Sequence, residues 1–176
     1  LASLSGDAVT TLTTTISNLN ISENLSIYGE DDGNDNNNAT FNLASGTVTI
    51  DGDVYTDEEN GSVCTLSLNT GAETGKLVLT GSTPFDDQVG TLGFDATGTS
   101  ATVEYAGSAQ TVRTTTYTNL TLSGSGTKTT TGVTVNGILS MEGTATVSTA
   151  PTYGSAATLQ YNNATARTVG AEWISP

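Results

Sequence analysis

The 176-residue chain carries 18 acidic residues against four basic ones and no His, for a net charge of -14, and only 12% of its positions are charged. So few cations exclude nucleic-acid binding, which needs Lys and Arg to displace counterions from phosphates, and disfavour adhesion to an anionic membrane. Hydrophobic content of 35% with 6% aromatics dictates a thin aliphatic core, and no run is apolar for long enough to span a bilayer.

Thr, Ser, Asn and Gly fill the remainder, which favours β-branched strands separated by tight turns. The chain opens at Leu1 without a leader-like run, which predicts a mature or excised piece. Short alternating runs follow: Leu19-Asn-Ile21, Val48-Thr-Ile50, Leu66-Ser-Leu68, Leu77-Val-Leu79, Leu120-Thr-Leu122 and Val133-Thr-Val135. Their period of two sends apolar side chains inward and Thr, Ser or Asn outward, and Gly or Asn-Gly closes nearly every run. The fold class is therefore all-β. A repeat-built parallel β-solenoid fits the recurrence of these runs every 18–26 residues. The alternative is an antiparallel β-sandwich with Greek-key or hairpin strands, in which Asp51-Gly52 and Asn136-Gly137 would be two-residue hairpin turns.

An internal repeat runs through these elements. Ile16–Ser22 matches Tyr117–Ser123 at an offset of 101, and Val48–Gly52 matches Val133–Gly137 at an offset of 85. The difference of 16 residues places an insertion on the acidic stretch 29–38 of the first copy. Ala101–Tyr105 matches Ala157–Tyr161, and both copies then reach a Thr-Val pair, at Thr111-Val112 and Thr168-Val169. The expected organisation is a first β module over 1–99 carrying the acidic insertion and a second over 100–176, incomplete at its C-terminus, unless the two form one continuous domain. Charge divides the same way: residues 1–88 hold 14 acids and one Lys, and residues 89–176 hold four acids and three bases.

Catalytic constellations are mostly ruled out by what the chain lacks. Without His, and with Cys64 alone, neither Ser-His-Asp nor Cys-His catalysis nor a His/Cys zinc site can be assembled. Cys64, in Val63-Cys-Thr-Leu66, reads as a buried strand thiol. Carboxylate pairs such as Asp86 and Asp87 would suit a glycosidase, and a solenoid polysaccharide lyase would need one of Lys76, Arg113, Lys128 or Arg167 beside Ca²⁺, but acids adjacent in turns are ordinarily solvated surface. The chain reads as no enzyme.

The strongest ligand candidate is Glu30, Asp31, Asp32, Asn34 and Asp35, whose oxygens recur through a Gly-containing loop as in a Ca²⁺ cage, although the spacing does not complete an EF-hand. A second acidic group comprises Asp51, Asp53, Asp57, Glu58 and Glu59. Six Asn-x-Ser/Thr sequons, at Asn20, Asn24, Asn38, Asn60, Asn119 and Asn163, are candidate glycosylation sites in an extracellular setting. The threonine runs 13–15, 114–116 and 129–131 raise ice binding, which would need a regular Thr array.

The stretch 101–112, followed by Tyr117-Thr-Asn-Leu-Thr-Leu-Ser-Gly-Ser-Gly-Thr-Lys-Thr129, Gly132–Leu139 and Ala157-Thr-Leu-Gln-Tyr161 through Trp173, resembles large secreted β-strand-repeat, adhesin-like surface proteins of the Bacteroidetes type. The resemblance is best over 100–176. It implies export, display at the cell surface, and neighbouring repeats, other copies of the chain or surface glycans as partners. It carries no shared catalytic residues. The functional expectation is a non-catalytic extracellular stalk, adhesin segment or filament subunit. A Ca²⁺-dependent carbohydrate-binding module is the alternative, with a solenoid lyase or ice-binding protein behind it.

Overall fold

The period-two alternation becomes short strands wound into coils of three, seen in a computed structural model that describes residues 10–29, 38–58, 63–69, 74–89 and 92–174. The first coil holds β1 (Thr10–Thr14), β2 (Asn18–Ile21) and β3 (Leu25–Gly29), the second β4 (Ala39–Leu43), β5 (Thr47–Ile50) and β6 (Val54–Glu58). The third holds β7 (Cys64–Ser67), β8 (Lys76–Leu79) and β9 (Phe85–Val89), the fourth β10 (Gly93–Asp95), β11 (Thr102–Tyr105) and β12 (Gln110–Thr111). The fifth holds β13 (Thr116–Tyr117), β14 (Asn119–Leu122) and β15 (Thr127–Thr129), the sixth β16 (Thr134–Val135), β17 (Ile138–Glu142) and β18 (Thr146–Val147). The seventh contributes β19 (Thr152–Tyr153) and β20 (Thr158–Asn162).

Each strand pairs with the strand one coil away, and every pairing is parallel. The molecule is a parallel β-solenoid with three faces. Face two is one uninterrupted sheet in the order β2-β5-β8-β11-β14-β17-β20. Face one runs β1-β4-β7-β10, then passes through a parallel bridge between Ala96 and Tyr117 into β13-β16-β19. Face three is broken into β3-β6-β9 and β12-β15-β18, with no pairing of β9 to β12. At the usual spacing of about 4.8 Å per strand, seven coils span roughly 30 Å.

Parallel pairing removes the sandwich and its hairpins. Asp51-Gly52 is instead the corner between β5 and β6, and Asn136-Gly137 the corner between β16 and β17. A corner brings successive coils too close for a side chain. Gly124 sits at φ +67°, where an added Cβ would lie 2.2 Å from the Ala106 carbonyl oxygen, and Gly143 stacks beneath it at φ +56°.

Register sharpens the repeat. Along face two, successive coils are offset by 29 residues from Leu19 to Val48, 29 to Leu77 and 26 to Val103, then by 17 to Leu120, 19 to Leu139 and 20 to Leu159. The first repeat match is structural, since β2 and β14 occupy the same face. The second is not: β5 lies on face two and β16 on face one. The first coil is thus longer than its C-terminal counterpart by ten residues rather than 16.

Inward side chains stack into aliphatic columns. Val48, Ile50, Leu77, Leu79, Val103, Leu120, Leu122 and Leu139 are fully buried along face two, facing Leu43, Leu66 and Val135 from face one. Each contributes about 1.5–3 kcal/mol on burial. Cys64 is among them, as its sequence context predicts.

Candidate functional site

The predicted calcium ligands Glu30, Asp31, Asp32, Asn34 and Asp35 lie outside the described residues, as do Glu59 and Asn60. In the second acidic group, Asp51 accepts from the Thr80 hydroxyl at 2.7 Å and Asp53 from the Thr83 hydroxyl at 2.9 Å, so both carboxylates join one coil to the next at the face-two to face-three corner. Among the described residues no three His, Cys, Asp or Glu side chains converge as a metal would require.

Several sequon asparagines also work between coils. Asn24 accepts from the Asp53 amide at 2.9 Å and Asn38 from the Val63 amide at 2.8 Å. Asn119 spans three coils: its Nδ2 donates to the Ala101 carbonyl and its Oδ1 accepts from the Ile138 amide. Asn163 donates its Nδ2 to the Met141 carbonyl. Asn20 is exposed on β2.

The threonine runs do not make a single flat array. Thr14 and Thr130 point inward, and Thr130 donates to the Thr149 carbonyl at 2.6 Å. The ladders among the described residues are short: Thr11 over Thr40 over Thr65 and Thr116 over Thr134 over Thr152 on face one, with Thr111 paired to Thr129 and Thr127 to Thr146 on face three.

The features sequence reasoning passed over cluster where face three breaks. A groove of about 290 Å³ opens between β9 and β12, lined by Ser82, Thr83, Pro84, Phe85, Thr111 and Arg113. The Arg113 guanidinium lies 5.0 Å from the Phe85 ring centroid and donates to the Leu92 carbonyl at 2.6 Å. Its backbone is held by two buried phenols in a closed loop. The Arg113 amide donates to Tyr105 Oη at 2.9 Å, the two phenol oxygens lie 3.0 Å apart, and Tyr117 Oη donates to the Arg113 carbonyl at 2.8 Å. Burial pushes the Tyr105 phenol up to about 12 and holds Tyr117 well above its ordinary value. Both tyrosines are packing residues that also hold the Arg113 backbone.

Behind the groove lies a polar plug inside the coil. Lys128 on β15 is fully buried and Gln110 on β12 is 3% exposed. Lys128 Nζ donates to the Gly107 carbonyl at 2.7 Å, the Ser108 carbonyl at 2.6 Å and Gln110 Oε1 at 2.7 Å. Gln110 Oε1 also accepts from the Gly107 amide at 3.0 Å, and its Nε2 donates to the Leu79 and Gly81 carbonyls at 3.0 and 2.7 Å. Burial drives the Lys128 ammonium down to about 8, against the opposing pull of Glu104. Strand phase carried a signal for this: with Thr127 and Thr129 outward, Lys128 must point in.

At the last coil, Glu172 is fully buried and accepts from the Tyr161 hydroxyl at 3.0 Å and the Gly170 amide at 3.0 Å, while Tyr153 donates to its carbonyl. Arg167 stacks over Tyr161 and donates to the Ala145 carbonyl. Trp173 and Ile174 remain exposed.

Fold and interior define a three-faced parallel β-solenoid whose polar interior groups serve mainly to join its coils. No protein-family model, no curated protein and no solved structure matches the chain.

Proposed function

We propose that this chain is a non-catalytic structural and adhesive module displayed outside the cell, a stiff spacer in a surface stalk, adhesin or filament. The observation that carries the reading is the seven-strand parallel sheet of face two, which ties every coil from Asn18 to Asn162 into one ladder. A load applied along the axis is shared by successive ladders and by the side-chain links at the corners. The sparse Lys and the resemblance of residues 100–176 to secreted repeat proteins support the location. Single-molecule pulling between the two ends tests the mechanical part. A spacer unfolds in steps of one or a few coils, since each coil contacts only its neighbours. Release of the whole length at the force of a weak globular domain would argue against it.

A second reading, carbohydrate binding, draws on the groove between β9 and β12. It combines a positioned guanidinium with an aromatic ring and three hydroxyl side chains, at the small end of ligand-site volumes. A glycan array comparing the native chain with Thr111→Trp, which fills the groove from an exposed position, tests it. Signal lost in the variant supports the groove, and signal unchanged removes it. Repeating the array with a calcium chelator tests whether the acidic stretch 30–35 contributes.

A further inference from the structure

We propose that Lys128 and Gln110 are partners in a self-formed covalent cross-link, an isopeptide bond from Lys128 Nζ to the side-chain carbonyl carbon of Gln110, fastening the fourth coil to the fifth. Three features of the plug lead there.

The carboxamide is fixed. Its Nε2 is aimed at two backbone carbonyls, from Leu79 and Gly81, and its Oε1 receives the Gly107 amide. Flipping it would press the oxygen against two other oxygens, so its orientation is set by chemistry. The amine is equally constrained, because its three acceptors match the three hydrogens of the ammonium. Two of them are backbone carbonyls and take only N–H. When the ammonium gives up a proton, those carbonyls retain two hydrogens, and a shift of Nζ off the Oε1 axis turns its lone pair to the Gln110 carbonyl carbon one bond away. With the ammonium lowered to about 8, about a tenth is neutral near pH 7. Finally, both side chains are sealed from solvent. Water therefore does not compete, and a buried pair held in contact gains an effective concentration on the order of 10⁵–10⁸ M.

The step balances without a co-reactant. The neutral amine forms the new C–N bond to the carbonyl carbon, and charge develops on Oε1, where the Gly107 amide already donates. A proton from the attacking nitrogen passes to Nε2, the old C–N bond breaks, and ammonia leaves. A primary amide is exchanged for a secondary one, and escape of ammonia makes the exchange one-way. The bond would join β12 to β15, and so would lock the first rung of face three on the C-terminal side of its break.

Intact-mass measurement on the purified native chain tests the proposal, followed by trypsin. Expected are a loss of one ammonia, resistance to cleavage at Lys128, and a branched product joining the peptide 77–113 to 114–167. Lys128→Met and Gln110→Leu should each lose one ammonia fewer than the native chain, since any succinimide at Asn-Gly sequences such as Asn136-Gly137 is common to all three. A native chain that loses no more ammonia than Lys128→Met, or one cleaved normally at Lys128, overturns the cross-link and leaves the pair as a hydrogen-bonded plug. Should Lys128→Met fail to fold, the branched peptide in the native chain still decides.

Discussion

Two consecutive residues of β17 provide a sharp test of the register. Leu139 is fully buried between Leu120 and Leu159 of the adjoining coils, whereas its neighbour Ile138 points outward and is 40% exposed. Leu139→Ala removes three carbons from the column, about 2.4 kcal/mol at about 0.8 kcal/mol per methylene. The cavity left between two rigid coils raises the cost into the range of about 2–5 kcal/mol. Ile138→Ala removes as many carbons from the solvent side and should cost under about 1 kcal/mol. Urea denaturation followed by far-ultraviolet circular dichroism measures both. Slopes must be compared as well as midpoints, because a solenoid that begins to unfold coil by coil shows a reduced slope. A one-residue slip would send every side chain of β17 to the opposite side. Equal costs, or a larger cost for Ile138→Ala, would therefore refute the assigned register and with it the stacking of the last three coils.

Alkali should destabilise the fold between about pH 10 and about 12. Phenols such as the buried Tyr105 and the half-buried Tyr153, raised to about 12, keep their protons where unfolded phenols have lost them, so the stability they lend is present below pH 10 and lost on rising through 12. Melting curves paired with tyrosinate absorbance check this, and ionisation of all six tyrosines near pH 10 in the folded chain would contradict it. Asn119→Ala should cost about 1–3 kcal/mol by taking the Oδ1 acceptor from the Ile138 amide and the second donor from the Ala101 carbonyl, which keeps the Asn119 amide. For the same reason, expression in a glycosylating host should leave Asn119 unmodified in the folded product, which peptide mapping would show. Glu172→Ala should loosen the last coil, read as protease cleavage after Arg167 and a shift in the emission of Trp173, the single tryptophan. The Glu172 carboxyl is held below its ordinary value: burial works against this, but the Gly170 amide and the Tyr161 hydroxyl outweigh it. Its contribution is therefore present above about pH 4.5 and declines as the pH falls through the lowered value, and an acid titration of the native chain should show the same loosening.

Much of the fold was legible because a solenoid writes its geometry into period-two alternation. Val48 and Ile50, and likewise Leu77 and Leu79, point inward as the pattern required, while Val78 takes the outward phase. The pattern does not reveal which face a strand joins. Val48–Gly52 and Val133–Gly137 look alike because both are a strand followed by a corner, yet they sit on different faces, since every face asks for the same alternation. Site chemistry was harder to read. Acidic clusters drew the eye as ligands, but Asp51 and Asp53 spend their oxygens on threonines one coil away. Sequons drew it as modification sites, but Asn24 and Asn119 bond to backbone a full coil distant. Such contacts depend on coil length, which differs from turn to turn and is fixed only once the register is known.

Lys128 shows why coil length matters to the chemistry. The first coils advance by 26–29 residues and the last by 17–20, and face three breaks between β9 and β12, where the two regimes meet. Beside that break the corner carbonyls take side-chain donors in addition to backbone ones: the Leu79 and Gly107 carbonyls already accept the Ala106 and Ser125 amides. Gln110 reaches back across the break to the Leu79 and Gly81 carbonyls, while Lys128 takes the carbonyls of the Gly107-Ser108 corner. Arg113, clamped by its tyrosine pair, binds the Leu92 carbonyl on the groove side. Three long polar side chains thus add cross-coil bonds at the junction, where face-three pairing stops. These bonds have a chemical consequence: they bring a buried amine and a buried carboxamide into contact with both orientations fixed. The proposed cross-link follows from how this solenoid changes its coil length, and a solenoid of uniform coils would have no reason to create that pair.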